Sequence, residues 1–463
     1  MSDAGLLAAT ARMRDRGIDE RAVRVFEHYY RELEAGTTGT ISESTIEPLG
    51  ATPSLADLVA TDAERAAALA HTVVIKLNGG LGTSMGLSGP KTALEVRDGL
   101  TFLDIIVRQV LARRAAHGVD LPLVLMDSFR TREASLGALA AYEDLPVDGL
   151  PLDFLQNAEP KLTADGLDPV DWPDDPTLEW CPPGHGDIYV ALASSGLLDA
   201  LRSKGLRYAF LSNSDNLGAT CEPEIPAWMA REGVPYVAEV CPRTVNDRKG
   251  GHLARRIADD RLVLRDSAMV VPGEEHFFTD NERYDVFHAN NLWVDLDILH
   301  ATLTARDGVL GLPIIVNRKT VDPARKDSPK VIQIESAMGA AIETFDGSRA
   351  LLVPRTRFRP VKTTNELLLL RSDLFGLDAA YDILPTGTGP EPLVDLDSHY
   401  TLIGDFDRRF PRGVPSLAQA TSFRVEGEVT FGSDVVCVGD VVVTASAPTS
   451  VDDGTRLEGT ATV

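Results

Sequence analysis

The chain has 463 residues, 44% of them apolar, and a formal net charge of -24. That length suits about three ordinary domains or one large domain with appendages, and the apolar share is enough for a full core. No Lys/Arg-rich block offsets the acid excess, which argues against a nucleic-acid partner or an anionic-membrane surface.

A polyanionic ligand would therefore have to meet a local cluster of positive groups, so lysines in Gly-rich or Pro-flanked contexts are the ones to watch. The opening MSDAGLLAATARMRDRGIDE carries charges where a signal peptide needs its apolar core, and no apolar run approaches a membrane span. The expectation is a soluble, cytoplasmic protein. Cys181, Cys221, Cys241 and Cys437 are isolated and read as reduced thiols, without disulfide or zinc spacing.

In chain order, Asp19 has the character of a helix N-cap, and Ala22, Phe26, Tyr29 and Leu33 follow at helical spacing until Gly36. Residues 1–70 read as a helical N-terminal segment. From Val73 short apolar runs alternate with helical patterns, which predicts an α/β domain with a mainly parallel sheet over 71–385. "VVIKL" leads into Asn78, "PLVLM" into Asp127 and Ser128, and "YAFL" into Ser212, Asn213, Ser214 and Asp215. In an open α/β sheet such carboxyl ends line one ligand crevice. Past Pro390, Phe423, Val429, Val435 and Val441 recur every six residues with Gly427, Gly432 and Gly439 between them. This pattern predicts a C-terminal β-helix over 386–463, with a small antiparallel appendage as the alternative.

The densest stretch is "KLNGGLGTSMGLSGPKT", Lys76 to Thr92, directly behind the first strand of the α/β domain. Gly82-Thr83-Ser84-Met85-Gly86 matches the serine elbow G-x-S-x-G, but four residues separate it from the strand, and Gly86, Gly89 and Pro90 obstruct a following helix. The two standard phosphate motifs fail as well, because Pro90 precedes Lys91 and the glycine spacing is wrong. Their physics still applies: adjacent glycines let backbone N–H groups converge on phosphate oxygens, and Lys91 adds a positive charge at the rim. Plain tight turns are the other reading.

Three further positions carry chemistry. Asp215, beyond a strand end in "LSNSDNLGAT", suits magnesium, which takes one or two carboxylates plus a ligand's phosphates; an Asx-turn is the alternative. In "RFRPVKTTNELLLL", Thr363 and Glu366 have capping-box spacing, so Lys362 stands before a helix N-terminus that already favours anions, unless it is a plain surface lysine. In "WCPPGHGDIY" the prolines and glycines hold His185 on a stiff loop, with Asp187 a candidate cap for the helix from Ile188. A base or sugar hydroxyl could reach that histidine.

These pieces, with "DGLTFLD", "LMDSF", "FHANNLW" and "VIQIESAMGAAI", resemble the UTP–glucose-1-phosphate uridylyltransferase family of eukaryotic type over about Val73 to Phe375. The resemblance implies a Rossmann-like nucleotidyltransferase domain with a mixed, mainly parallel sheet, a helical N-terminal extension and a C-terminal β-helix. It implies that the backbone of Leu77, Asn78, Gly79 and Gly80 cradles UTP, that Lys91 contacts its phosphates, and that Gln156 and Gly184 meet uracil. It assigns Gly79, Gly80, His185, Asn213, Ser214, Asp215, Asn290 and Asn291 to glucose 1-phosphate. Asp215 would hold Mg2+ and touch UTP, and Lys362 would grip UTP at the reacting centre; Lys91, Asp215 and Lys362 are the catalytic set. The chain departs from the family where "C-K-G-P-K" becomes Leu87-Ser88-Gly89-Pro90-Lys91, where "Q-S-R-Y-P-R" becomes Gln156-Asn157-Ala158-Glu159-Pro160-Lys161, and where His288 replaces an asparagine.

The resulting expectation is Mg-dependent, in-line attack of glucose 1-phosphate on the α-phosphorus of UTP. Other readings are the same chemistry on N-acetylglucosamine or galactose 1-phosphate, a sugar-nucleotide sensor without turnover, and the serine hydrolase. Monomer and homo-oligomer are equally compatible with the sequence.

Overall fold

The computed structural model describes residues 3–244 and 250–463. The aliphatic runs seen in the sequence become strands of one seven-stranded sheet: β1 (Thr72–Leu77), β2 (Leu123–Asp127), β3 (Asp153–Leu155), β4 (Tyr208–Asn213), β5 (Tyr236–Pro242), β6 (Val286–Asp295) and β7 (Arg349–Leu352). Their order across the sheet is β7-β5-β6-β4-β1-β2-β3. The run β4-β1-β2-β3 is parallel, as is β5 with β7, while β6 alone runs against both its neighbours. Val74 faces one core and Val73 and Ile75 the other, so both faces are covered. Burial on both sides explains why the strands read as unbroken apolar runs rather than alternating ones.

Helix Phe102–His117 covers one face; Thr101 and Asp104 form its capping box and Gly118, at φ +64°, stops it. Helix Ile188–Ser194 packs into the other core. At the N-terminus, helices Asp3–Asp15 and Glu20–Glu34 form as expected, with the Asp19 carboxylate accepting from the Arg21 N–H. They pack Phe26, Tyr29 and Tyr30 onto Leu162, Ile332 and Ile334 of a small antiparallel sheet.

Helix does not continue through residue 70 without a break. Between Glu34 and Asp62 the chain is mostly extended, and Ile46–Pro48 pairs antiparallel with Gly251–Arg256. The cause is local: Gly36 and Gly39 take positive φ, and a Cβ at Gly39 would lie 1.9 Å from the Ile314 carbonyl oxygen. Pro48 and Pro53 then remove the backbone donors a helix would need. Helix resumes at Asp62–Ala70 behind a Thr61/Glu64 capping box.

At the C-terminus the strands are parallel, which overturns the antiparallel alternative. Leu393–Leu396, Ser416–Glu426, Val436–Thr444 and Arg456–Thr462 form one ladder, and Val429–Phe431 with Thr449–Val451 a second. The six-residue markers Phe423, Val429, Val435 and Val441 are all buried. They belong to the same apolar core as Val74 and Phe210 of the central sheet and Leu367 and Leu368 of helix Thr364–Arg371. No helix among the described residues is long and apolar enough to cross a membrane.

Candidate active site

The carboxyl ends of β1, β2, β3 and β4 meet at one edge of the sheet. Behind β1, Asn78 is buried and turns its side chain inward: its amide donates to Asp127 Oδ1 at 2.8 Å and to Ser135 Oγ at 2.7 Å, and its carbonyl accepts from Thr92 Oγ1 at 2.7 Å. Its backbone N–H is also spent, on the Met126 carbonyl at 2.8 Å, so neither the side chain nor the N–H of Asn78 is left for a ligand. Those four bonds fix the start of the glycine loop, and Gly80 then lies exposed with nothing within 4 Å of where a Cβ would be. Ser84 sits exposed in the single turn Thr83–Met85, and no histidine among the described residues bonds to it. The hydrolase reading has no geometry behind it.

Lys91 is tied to the far side of the same loop by its N–H to the Gly80 carbonyl at 3.3 Å. Its ammonium reaches Asp215 Oδ2 at 3.0 Å and also donates to the Val361 carbonyl. The Val361 N–H in turn donates to the Asp215 carbonyl at 3.1 Å. Lys91, Asp215 and the residue before Lys362 thus form one knot. Lys362 itself is exposed, directly ahead of the Thr363 cap, whose hydroxyl accepts from the Asn365 N–H while Glu366 closes the capping box. Among the described residues it forms no ion pair, so its charge is uncommitted at an anion-favouring helix end.

Gln156 follows β3, and Gly184 precedes helix Ile188–Ser194. The Gln156 side-chain amide makes no hydrogen bond among the described residues and rests on Gly79, where a Cβ would come within 2.5 Å of Oε1. Gly184, at φ +81°, abuts the small sheet so closely that a Cβ would lie 2.6 Å from the Ser336 carbonyl oxygen. His185 follows on the exposed rim; its Nδ1 accepts the Met338 N–H at 2.9 Å, which fixes the neutral tautomer with its proton on Nε2. Asp187 does not cap helix Ile188–Ser194 through its side chain. Its carboxylate instead accepts from the Asn157 N–H at 2.6 Å and the Asn157 side-chain amide at 2.7 Å.

The last group lies where β4 meets β6. Ala238 pairs with Leu292 and Val240 with His288, so Glu239 alone opposes Ala289, Asn290 and Asn291. This bulge puts Asn290 at φ +54°, a conformation asparagine tolerates better than most residues. Asn290 then donates to Asn213 Oδ1 at 3.2 Å at the cleft edge, while Ser214 Oγ donates to the Leu77 carbonyl at 2.7 Å. The asparagine pair therefore splits: the Asn291 side chain is fully buried and donates to Glu239 Oε2 at 3.0 Å, away from any ligand.

The sequence reading missed what lies beneath. Arg357 holds Glu239 in a two-pronged ion pair at 2.6 and 2.8 Å, and Trp293, at 3.0 Å, joins Asn291 as a further donor to the same carboxylate. Lys76, buried below Asp215, donates to Ser212 Oγ at 2.9 Å and the Ala219 carbonyl at 2.7 Å; burial and then the nearby Arg357 guanidinium push its ammonium down to about 7. A signal existed for each, since a lone charge inside an apolar run, as in "VVIKL" or "YVAEVC", must find a partner when buried.

For a metal, Asp215 Oδ1 is buried without a hydrogen-bond partner. Among the described residues no three His, Cys, Asp or Glu side chains converge on one point. An ion here would share Asp215 with a ligand's phosphates, which suits magnesium.

Fold and site together define an α/β protein with a polar cleft at the carboxyl edge of its sheet, where open glycine backbone meets a lysine-aspartate knot. Comparison with known proteins agrees. The model of the UTP–glucose-1-phosphate uridylyltransferase family matches residues 23–437. The UTP–glucose-1-phosphate uridylyltransferase of Solanum tuberosum is 40% identical over 408 residues, covering 87% of this chain and 82% of that protein. The enzyme of that name from Saccharomyces cerevisiae is 37% identical over 406 residues, covering 87% and 80%. A Leishmania major UDP-glucose pyrophosphorylase variant, solved in complex with UDP-glucose, aligns with a TM-score of 0.93 at 40% identity over 100% of both chains. The chain belongs to the UTP–glucose-1-phosphate uridylyltransferase family.

Proposed function

We propose that the protein makes UDP-glucose and pyrophosphate from UTP and glucose 1-phosphate, reversibly. The observation that carries this reading is the meeting of Lys91, Asp215 and the Lys362 segment beside the bare Gly80 backbone. The uracil is read by the Gln156 amide and the Gly184 backbone, and the sugar phosphate enters on the side of His185, Asn213, Ser214 and Asn290. The mixed sheet is then Rossmann-like, residues 71–385 form the catalytic domain behind the 1–70 segment, and the parallel strands of 386–463 coil into a β-helix.

In the reaction a phosphate oxygen of glucose 1-phosphate attacks the α-phosphorus of UTP, the bond to the bridging oxygen breaks, and pyrophosphate leaves with that electron pair. The nucleophile is already an anion, so no general base or covalent enzyme intermediate is needed. The difficulty is bringing two polyanions together in line, and the chain answers it by positioning and charge. The Gly79 and Gly80 N–H groups and Lys91 hold the triphosphate, and Lys362 offsets charge growing at the reacting centre. Magnesium, held by Asp215 and the phosphates, would supply further charge neutralisation.

A coupled assay of pyrophosphate release from UTP, glucose 1-phosphate and magnesium tests the reading. Lys362→Ala is expected to cut turnover by roughly 100- to 1,000-fold, the cost of removing one transition-state donor, with the fold intact. A folded variant with near wild-type turnover would remove Lys362 from the mechanism.

A further inference from the structure

We propose that Asp187 is a positioning residue for nucleobase selection: by clamping Asn157 it sets the spacing between the two sides of the base pocket. This rests on the reading of Gln156 and Gly184 as the groups that read uracil. Asp187 lies in the turn His185–Asp187, immediately after Gly184, and that turn is wedged against Ser336, which would stand 2.3 Å from a Cβ at Gly186. Asn157 immediately follows Gln156. The two short hydrogen bonds from Asn157 to Asp187 therefore tie the Gln156 side of the pocket to the Gly184 side through a single carboxylate.

Nothing else accounts for that carboxylate. Its side chain caps no helix and, among the described residues, no cation pairs with it, although Asp187 is only 5% exposed. The groups that share the small cavity behind it are Tyr29, the buried Glu159 and Glu335, none of them positive, and His185 adjoins it in the turn. An uncompensated buried carboxylate is costly, and here both its oxygens are spent on Asn157.

The test compares kcat and KM for UTP and CTP, with folding checked by circular dichroism. Asp187→Asn faces two donors with one acceptor and loses one charge-assisted bond. It is expected to raise KM for UTP about tenfold with kcat within about threefold, and to narrow the UTP-over-CTP preference about tenfold. Asn157→Ala, which deletes the side-chain bond only, should shift the same ratio in the same direction by less. Combining Asp187→Asn with Asn157→Asp exchanges donor and acceptor and should restore the ratio to within about threefold, which a merely structural role would not do. An unchanged ratio in both folded single variants, or no recovery in the exchanged pair, overturns the proposal. Gln156→Ala separates the two ideas: if it also leaves base selection untouched the pocket reading itself falls, whereas if it alone abolishes selection only the clamp falls.

Discussion

Gly79→Ala perturbs base recognition through the Gln156 side chain while keeping the Gly79 N–H in place. The added Cβ would lie 2.5 Å from Gln156 Oε1, 3.0 Å from its Cδ and 3.2 Å from its Nε2. Gly79 does not need a left-handed φ, so its backbone accepts alanine, and the clash is with the far end of a flexible side chain. Rotating that side chain costs about 0.5–1.5 kcal/mol, against about 0.4–1 kcal/mol gained by stiffening the unfolded chain, so net stability should change by less than about 1 kcal/mol. Binding is where the loss appears. An amide swung off the base forfeits two hydrogen bonds of about 0.5–1.5 kcal/mol each, which corresponds to roughly 5- to 150-fold in kcat/KM for UTP. CTP, which the amide does not favour, should lose far less. At Gly80, by contrast, no atom lies within 4 Å of the would-be Cβ, so Gly80→Ala projects into the cleft and should weaken UTP and CTP alike. Steady-state pyrophosphate release with both nucleotides, beside thermal unfolding of each variant, reads all of this. A Gly79→Ala protein with unchanged melting temperature and the wild-type UTP-over-CTP ratio would refute the placement of Gln156 as the base reader.

Two further outcomes follow from single carboxylates. Asp215→Asn should weaken metal binding with UTP present by at least tenfold in a manganese titration followed by electron paramagnetic resonance, because Oδ1 is a buried acceptor with no partner among the described residues; an unchanged titration would assign the ion to other groups. Burial pushes Asp187 from the ordinary carboxylate value up to about 6, above its unfolded value, so folding takes up a proton between about pH 4 and 6 and stability falls as pH rises through that window. Relative to Asp187→Asn, the wild type should therefore lose about 2 kcal/mol between pH 4 and pH 7 in urea unfolding; parallel curves would show that the carboxyl is not held at a cost.

How much of this was legible in the sequence depended on the range of the interaction. The glycine loop, the Thr363/Glu366 cap beside Lys362 and the polar strand ends are local patterns, and each formed where the spacing put it. The six-residue period at the C-terminus likewise encodes a stacked parallel repeat, since Phe423, Val429, Val435 and Val441 all reach the core. Partnerships across the chain left no such trace. Glu239 and Arg357 are 118 residues apart, so neither predicts the other. Asp187 has the spacing of a helix cap, yet a donor pair 30 residues upstream claims it. Asn291 differs from Asn290 only through a bulge that inverts which of two adjacent asparagines faces the cleft.

The same long-range contacts bring together the distant segments that carry Asp215 and Lys362. Asp215 and Lys362 are not joined by their side chains but by a backbone seam. The Val361 N–H bonds to the Asp215 carbonyl at 3.1 Å, the Arg359 N–H to Asn216 Oδ1 at 2.8 Å, and the Asn216 side-chain amide to the Arg357 carbonyl at 3.0 Å. Gly218 lets the two strands of the seam close, since a Cβ there would lie 2.2 Å from the Thr356 carbonyl oxygen. Arg357, locked to Glu239 below, anchors the whole seam to β5. Asp215 Oδ1 and the Lys362 ammonium are thereby left without a partner among the described residues, and the spacing of their segments is set by bonds that a change of side chain at either position does not touch. In-line transfer demands that fixed spacing, because an error of about 1 Å in placing the reacting groups can cost about a hundredfold in rate.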